Sequence, residues 1–215
     1  MFMKQLSNYV DVLNFIEMEI DGVRITTSES RAKVAATLLN ITIDHAQGIR
    51  FLLEKGAFPS ASALMRCLFE TYIRAMWVWK CANEEQVLKF INDDKIIDEK
   101  NNAIPFRGLV EAVEVGSGFP IYLSEIQKNV WAGLNSLTHG GSILLHRSFD
   151  GKTIRHRYDN DLVREIIEFS TMCVCMAFAG LIELCEHPNS STVAEKLFEI
   201  VEPIYSIGAV SSVDH

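Results

Sequence analysis

Three charged side chains recur at four-residue intervals within an otherwise apolar stretch of this sequence. Arg66, Glu70 and Arg74 share one face of a predicted helix, because side chains four residues apart are neighbours on a helix. The surrounding residues are apolar on every side, which is typical of a central, buried helix. Since charges are rarely buried without partners, we predict a buried Arg–Glu line that is either a structural network or the floor of a functional site.

His45 is the first candidate partner of this line. We predict that one helix ends at Gly56 and that Pro59 opens the next, so the short connection makes the two helices antiparallel neighbours. Equal distances from the connection place His45 about one turn or less from Glu70. The imidazole and the carboxylate could exchange protons beside the two arginines, or these groups could only satisfy one another inside a core.

His139 is the second candidate for acid–base chemistry. It precedes two glycines at the predicted end of a helix, where glycines allow a left-handed turn and a close approach of the backbone. Trp131 and Asn135 lie on the same side of that helix. A protonated histidine at a helix C-terminus also interacts favourably with the helix dipole, so a capping role is the alternative.

A basic segment follows His139. Asp150 and Gly151 separate two runs of residues there, a pattern that predicts a β-hairpin. The basic side chains are Arg147, Lys152, Arg155 and Arg157, with His146 and His156 besides. Such a patch in a chain of formal net charge −8 suggests an anionic partner such as phosphate, RNA or an acidic surface. The alternative is an exposed hairpin whose charges deter edge pairing.

The composition is that of an ordinary globular protein. The 215 residues suit one domain, and 48% of them are hydrophobic. The five cysteines form no CxxC pair and no secretory signal is evident, so we predict reduced thiols and a cytoplasmic location. An apolar stretch over residues 166–184 contains glutamates and too short an uninterrupted apolar part to span a bilayer, so we predict a core helix and no membrane association.

Helical periodicity dominates the chain, and strand-like alternation is scarce. Four long helices are predicted, and an antiparallel four-helix bundle is the economical way to bury their apolar stripes. We therefore predict an all-α domain over residues 1–205, with flanking helices around the bundle and one β-hairpin-like insertion near residues 143–158. Residues 206–215 are predicted to form a flexible tail.

Several motifs of known sites are absent from the sequence. It has no Walker phosphate loop, no GxGxxG, no GxSxG and no HExxH. Its carboxylates also lack the Glu-x-x-His pairs of a di-iron bundle. We predict neither a metal nor a cofactor.

Two segments carry a resemblance to a known family. They are Arg66-Cys-Leu-Phe-Glu70-Thr-Tyr-Ile-Arg-Ala-Met-Trp77 and Leu134-Asn-Ser-Leu-Thr-His139-Gly-Gly, and they resemble an uncharacterised bacterial family of all-helical domains of unknown function. The resemblance extends over about residues 35–185 and includes a later basic residue that matches Arg147. It implies that the Arg–Glu line, His139 and Arg147 belong to one site.

The predicted bundle is also distantly similar to HEPN domains, many of which are RNA-cleaving toxins or parts of phage defence systems. Those RNases place a histidine a few residues after an arginine, usually at a dimer interface. In this sequence no arginine precedes a histidine at that spacing. The similarity implies a homodimer and a defence or stress context.

Two functions from different classes are compatible with these residues. The first is action on RNA or another phosphate-bearing ligand. Its candidate catalytic residues are Glu70, His45 and His139, and its candidate phosphate-binding residues are Arg66, Arg74, Arg147 and Arg155. The second is a non-enzymatic homodimeric binding or assembly module with a structural Arg–Glu network. A small-ligand sensor with a pocket in the bundle core is a third hypothesis.

Overall fold

The computed structural model describes residues 2–26, 28–117, 122–155, 157–187 and 189–206, and this part of the chain is all-helical. Its nine helices are α1 (Phe2–Ile20), α2 (Ser30–Glu54), α3 (Phe58–Lys80), α4 (Glu84–Asp93), α5 (Phe106–Gly116), α6 (Leu123–Thr138), α7 (Ser142–Ser148), α8 (Asn160–Leu184) and α9 (Ser190–Ser206). Two isolated antiparallel bridges are the only β-structure in these ranges. The predicted all-α class is confirmed.

Helices α2 and α3 form an antiparallel pair, as predicted from their short connection. Gly56 has a φ of +67° two residues after the end of α2, and Pro59 lies in the first turn of α3. The two helices approach closely at Gly48, where a Cβ atom would lie 3.0 Å from Leu64 Cδ2. This contact fixes the register between them, so His45, three residues back along α2, is level with Cys67 on α3.

The core lies where α1, α2, α3 and α8 pack together. Helix α8 contacts the other three, and α1 also packs against α9. Tyr9 of α1 is fully buried, and its hydroxyl donates to the Ala46 carbonyl at 3.0 Å and hydrogen-bonds with Ser170 Oγ. One tyrosine therefore links α1, α2 and α8, and its burial raises the pKa of the phenol.

The closed bundle of the four long helices is not confirmed. Helix α6 packs against α3, α5 and α7, whereas a groove lies between α6 and α8. The fourth helix at the centre of the core is instead α1, which covers α2 and α8. Helices α6 and α8 both pack against α3, and the groove lies between them.

Helix α8 accounts for the apolar stretch near the C-terminus. By length and composition alone this helix could span a membrane, but a buried core helix passes the same test. Its packing against α1, α2, α3 and α9 gives its apolar side chains partners within the protein. Val174 and Phe178, for example, are fully buried.

The predicted β-hairpin near residues 143–158 is wrong. Its first arm is the helix α7 rather than a strand, and the two sides are joined by one bridge, between Phe149 and Ile154, and by a few further backbone hydrogen bonds. The Asp150 turn itself forms, because Asp150 Oδ1 accepts from the backbone N–H groups of Lys152 and Thr153. In the first turn of α7 the Ser136 hydroxyl accepts the N–H of Ile143, which is one of the backbone donors that a helix start leaves without an intrahelical partner.

The C-terminal helix extends to about the end predicted for the folded domain. Helix α9 extends through Ser206 despite Pro203 in its interior. Tyr205 near its end donates to the Glu168 carbonyl at 2.9 Å, which ties α9 to α8. The remaining predicted tail, residues 207–215, and His156 of the basic segment lie outside the described residues.

Candidate functional site

The Arg–Glu line of α3 forms, but it is half-buried rather than buried. Arg66 Nε donates to Glu70 Oε1 at 2.7 Å, and Arg74 Nη2 lies 3.7 Å from Glu70 Oε2. The side chains of Arg66 and Glu70 are 22% and 20% exposed, and that of Arg74 is 43% exposed. The other faces of α3 pack against neighbouring helices, so this face lies at the edge of the core.

His139 joins this line from the end of α6. Arg66 Nη1 donates to His139 Nε2, which therefore carries the lone pair in this contact. The imidazole is exposed, and the N–H of His139 donates to the Asn135 carbonyl at 2.9 Å, so the residue also caps α6. Gly140 follows with a φ of +70°, the left-handed turn predicted there.

Three aromatic rings pack in series between Arg66 and the core. The guanidinium lies over the Trp131 ring, with its Cζ 5.1 Å from the ring centroid. Trp131 stacks on Phe106 at 4.4 Å, and Phe106 meets the buried ring of Phe69 edge-on at 5.8 Å. The position of Arg66 is therefore coupled to the core through three rings. We call Arg66, Glu70, Arg74, Trp131 and His139 the Arg66 cluster.

His45 is not part of this cluster. No hydrogen bond or ion pair joins it to Glu70, although both residues lie in the described part of the chain. The register contact at Gly48 places His45 level with Cys67, almost one turn from Glu70. Burial lowers the pKa of His45, and the nearby carboxylate of Asp44 opposes that shift.

This lowered pKa makes the stability of the protein depend on pH. The unfolded chain takes up a proton on His45 near its ordinary pKa of about 6.5, whereas the folded protein resists it. Stability is therefore complete above that pH and falls as the pH drops towards the folded pKa. We expect the melting temperature of His45→Gln to fall less than that of the parent between about pH 7 and pH 5. Parallel melting curves for the two proteins would contradict this role.

The basic residues after α6 form a second site. A cleft of about 650 Å³ is lined by Ile143, His146, Arg147, Arg155, Arg157, Tyr158 and Asp159, and we call it the basic cleft. The returning backbone fixes its shape, because the N–H of Arg157 donates to the Arg147 carbonyl at 2.7 Å and that of Arg155 donates to the Ser148 carbonyl at 3.0 Å. Three arginines thus line the cleft together with one acidic residue, Asp159.

Arg147 and Arg155 differ in how tightly they are held. Arg147 is 19% exposed, and its guanidinium lies 5.6 Å from the centroid of the Tyr158 ring and 4.0 Å from Glu165 Oε2. Arg155 is 67% exposed and pairs with Asp150 at 3.2 Å. The pKa of Asp150 is lowered, chiefly by the hydrogen bonds from the turn backbone and less by Arg155.

The structure therefore divides the predicted site residues into two groups. Arg66, Glu70, Arg74 and His139 come together, whereas Arg147 and Arg155 lie in the basic cleft and His45 stands apart. Sequence reasoning missed Tyr158 and Glu165, because nothing in the spacing pairs residues of α7 with residues beyond the Asp150 turn. Among the described residues, no group of three His, Cys, Asp or Glu side chains is placed to hold a metal ion.

Comparison with known proteins identifies the family of the chain but no characterised relative. No curated protein and no solved structure shows significant similarity to it. A family model matches residues 39–201, which is more than half of the chain and includes both the Arg66 cluster and the basic cleft. The chain therefore belongs to DUF6988, a family of unknown function.

Proposed function

We propose that the protein binds and acts on a phosphate-bearing ligand, either RNA or a smaller phosphate ester. The observation that carries the proposal is the basic cleft, where Arg147, Arg155 and Arg157 line about 650 Å³ of space and Asp159 is the one acidic lining residue. Arg147 and Arg155 also contact Glu165 and Asp150, which do not line the cleft. Guanidinium groups suit phosphate because their fixed donors match its oxygens. In a chain of net charge −8, such a concentration of cations is a local feature that favours an anionic ligand.

The Arg66 cluster is the candidate source of chemistry. The exposed imidazole of His139 could transfer a proton, and Arg66 could stabilise negative charge that develops on a phosphate. Glu70 accepts from Arg66 and lies close to Arg74, so its role is to position the arginines rather than to act as a base. Arg66 and His139 come from separate helices, which lets an Arg–His pair form without the HEPN sequence spacing.

Direct binding tests the proposal. We expect Arg155→Ala/Arg157→Ala to weaken the binding of a fluorescent single-stranded RNA at least about tenfold and to flatten its salt dependence, because fewer counterions are released. Arg107→Ala is the matched control for one lost charge, since Arg107 is 79% exposed on α5 and does not line the cleft. Equal losses for the cleft and control variants would overturn the proposal.

Two further arms separate the ligand sources and the chemistry. Inorganic phosphate and methyl phosphate should compete with RNA if the basic cleft binds only the phosphate group of its ligand. If the Arg66 cluster cleaves RNA, His139→Ala should remove fragments that the parent produces from total RNA. Identical fragment patterns from the two proteins would contradict a catalytic role for His139.

The non-enzymatic assembly module is a second candidate, and one observation favours it. Arg66 touches Glu70, Trp131 and His139, so it ties α3 to α6 as a purely structural residue would. In that case Arg66→Met/Glu70→Leu should melt at the same or a higher temperature and keep every ligand interaction. Loss of ligand turnover in a variant with an unchanged melting temperature would contradict the structural role. Both proposals include a cytoplasmic homodimer. Light scattering would test the homodimer by measuring whether the mass in solution is that of two chains.

A further inference from the structure

The groove between α6 and α8 is a second concave site that adjoins the basic cleft. It encloses about 580 Å³ over α3, and its apolar lining includes Met65, Val130, Leu134, Leu137, Ile166 and Phe169. We call it the apolar groove. Small-molecule sites in proteins have volumes of about 300–1,000 Å³ and are mostly apolar with a few polar groups, so this groove has the dimensions of a ligand site.

The apolar groove and the basic cleft share two residues. Ile143 and Arg147 line both cavities, so the guanidinium of Arg147 stands at the junction between them. Its only ion pair among the described residues is the 4.0 Å contact with Glu165, whose side chain is 63% exposed. The Tyr158 hydroxyl, beside Arg147 in the cleft, is buried and has no hydrogen-bond partner in the described structure. Arg147 is thus the donor that stands where an anion in the cleft would meet the mouth of the groove.

We propose that the two cavities bind one amphipathic anion, a phosphate monoester with an apolar substituent. The phosphate lies at Arg147 within the basic cleft, and the alkyl chain lies along the apolar groove. This inference rests on the proposed function for its anionic end and adds the class of substituent. The complementarity is twofold, because a charged end meets guanidinium and an apolar body meets aliphatic and aromatic side chains.

Two carboxylates of α8 also line the groove and limit how the ligand can lie. Glu168 is engaged by Arg164 Nε at 3.5 Å, so it has a cation of its own. Glu165 instead competes with the ligand for Arg147. The phosphate must replace Glu165 at the guanidinium, which makes Glu165→Gln a variant that should bind more tightly.

Calorimetry with short alkyl phosphates tests the proposal on the full chain. Full burial of one methylene is worth about fourfold in affinity, so the chain of hexyl phosphate, even when only partly buried, should make it bind at least about tenfold more tightly than methyl phosphate. Hexanol should bind much more weakly than hexyl phosphate. Arg147→Met should weaken hexyl phosphate about tenfold or more, whereas Arg107→Ala should not change its affinity.

Gly133 offers a variant that fills the groove without harming the fold. It lies on α6, lines the groove, and has open space around the position of a Cβ atom. Gly133→Leu replaces a poor helix former and should abolish the gain from methyl to hexyl phosphate while leaving methyl phosphate binding intact. Gly133→Ala is the control and should keep most of the chain-length dependence.

The outcomes distinguish this inference from the proposal on which it rests. Equal affinities for methyl and hexyl phosphate would overturn the inference and leave phosphate binding in place. Equal affinities for hexanol and hexyl phosphate would also overturn it, because the anionic end would then play no part. No binding of RNA, inorganic phosphate or any ester would overturn both.

Discussion

Replacement of Phe69 by alanine is expected to lower the free energy of unfolding by about 3–5 kcal/mol. Phe69 is fully buried, with the rings of Phe106 and Phe169 at 5.8 Å and 5.9 Å from its own. Its removal loses apolar burial and leaves a cavity that two fixed aromatic rings cannot fill. Urea or guanidinium unfolding followed by circular dichroism measures this loss.

The same substitution should also disturb the Arg66 cluster. Phe69 supports Phe106, which stacks on the Trp131 ring beneath Arg66. Phe69→Leu is the matched control, because it keeps much of the volume and should cost only about 1–2 kcal/mol. A loss below about 1 kcal/mol for Phe69→Ala would mean that the surrounding rings close the space, and would contradict the rigid stack described above.

Replacement of Gly141 by alanine should cost about 3 kcal/mol and also weaken ligand binding in the basic cleft. A Cβ atom on Gly141 would lie 2.8 Å from the Ser136 Cα atom and would also press against the Ser136 side chain. Backbone cannot rotate away as a flexible side chain can, so the start of α7 must move. The residues of α7 that line the cleft would move with it.

This effect is steric, and a second glycine of the same region separates it from general glycine effects. Gly141 has a φ of −72°, which any residue adopts, so backbone strain contributes nothing there. Gly133→Ala on α6 meets open space and should stabilise the protein by up to about 1 kcal/mol. Thermal melts of the two alanine variants should therefore shift in opposite directions. A Gly141→Ala protein as stable as the parent would contradict the tight turn.

Local geometry was the part of the site that the sequence could predict. The spacing of Arg66, Glu70 and Arg74 follows from helix periodicity alone, and their ion pairs form. The antiparallel pairing of α2 and α3 follows from their short connection, and the Gly48–Leu64 contact confirms it. These predictions depend only on neighbouring residues or on one short link.

Contacts between distant segments were beyond this reasoning. The His139 contact with Arg66 depends on where α6 lies against α3, which no local spacing determines. His45 lies within one helical turn of Glu70 along the helix axis, as predicted, yet that separation is enough to prevent a hydrogen bond between them. Asp150 does form a turn, but the residues before it are helical, and their first turn is held by a hydrogen bond to Ser136 of the distant helix α6.

Helix α6 contributes residues to both the Arg66 cluster and the apolar groove, so it can couple ligand binding at the two sites. One face carries Trp131, the end of the helix carries His139, and the adjoining face carries Val130 and Leu134 in the apolar groove. The groove separates α6 from α8 along this face. A ligand in the groove that shifts α6 must therefore also shift the contact between Arg66 and His139. Linkage then requires a reciprocal effect of equal size, so a ligand that binds at His139 must change the affinity of the groove by the same factor.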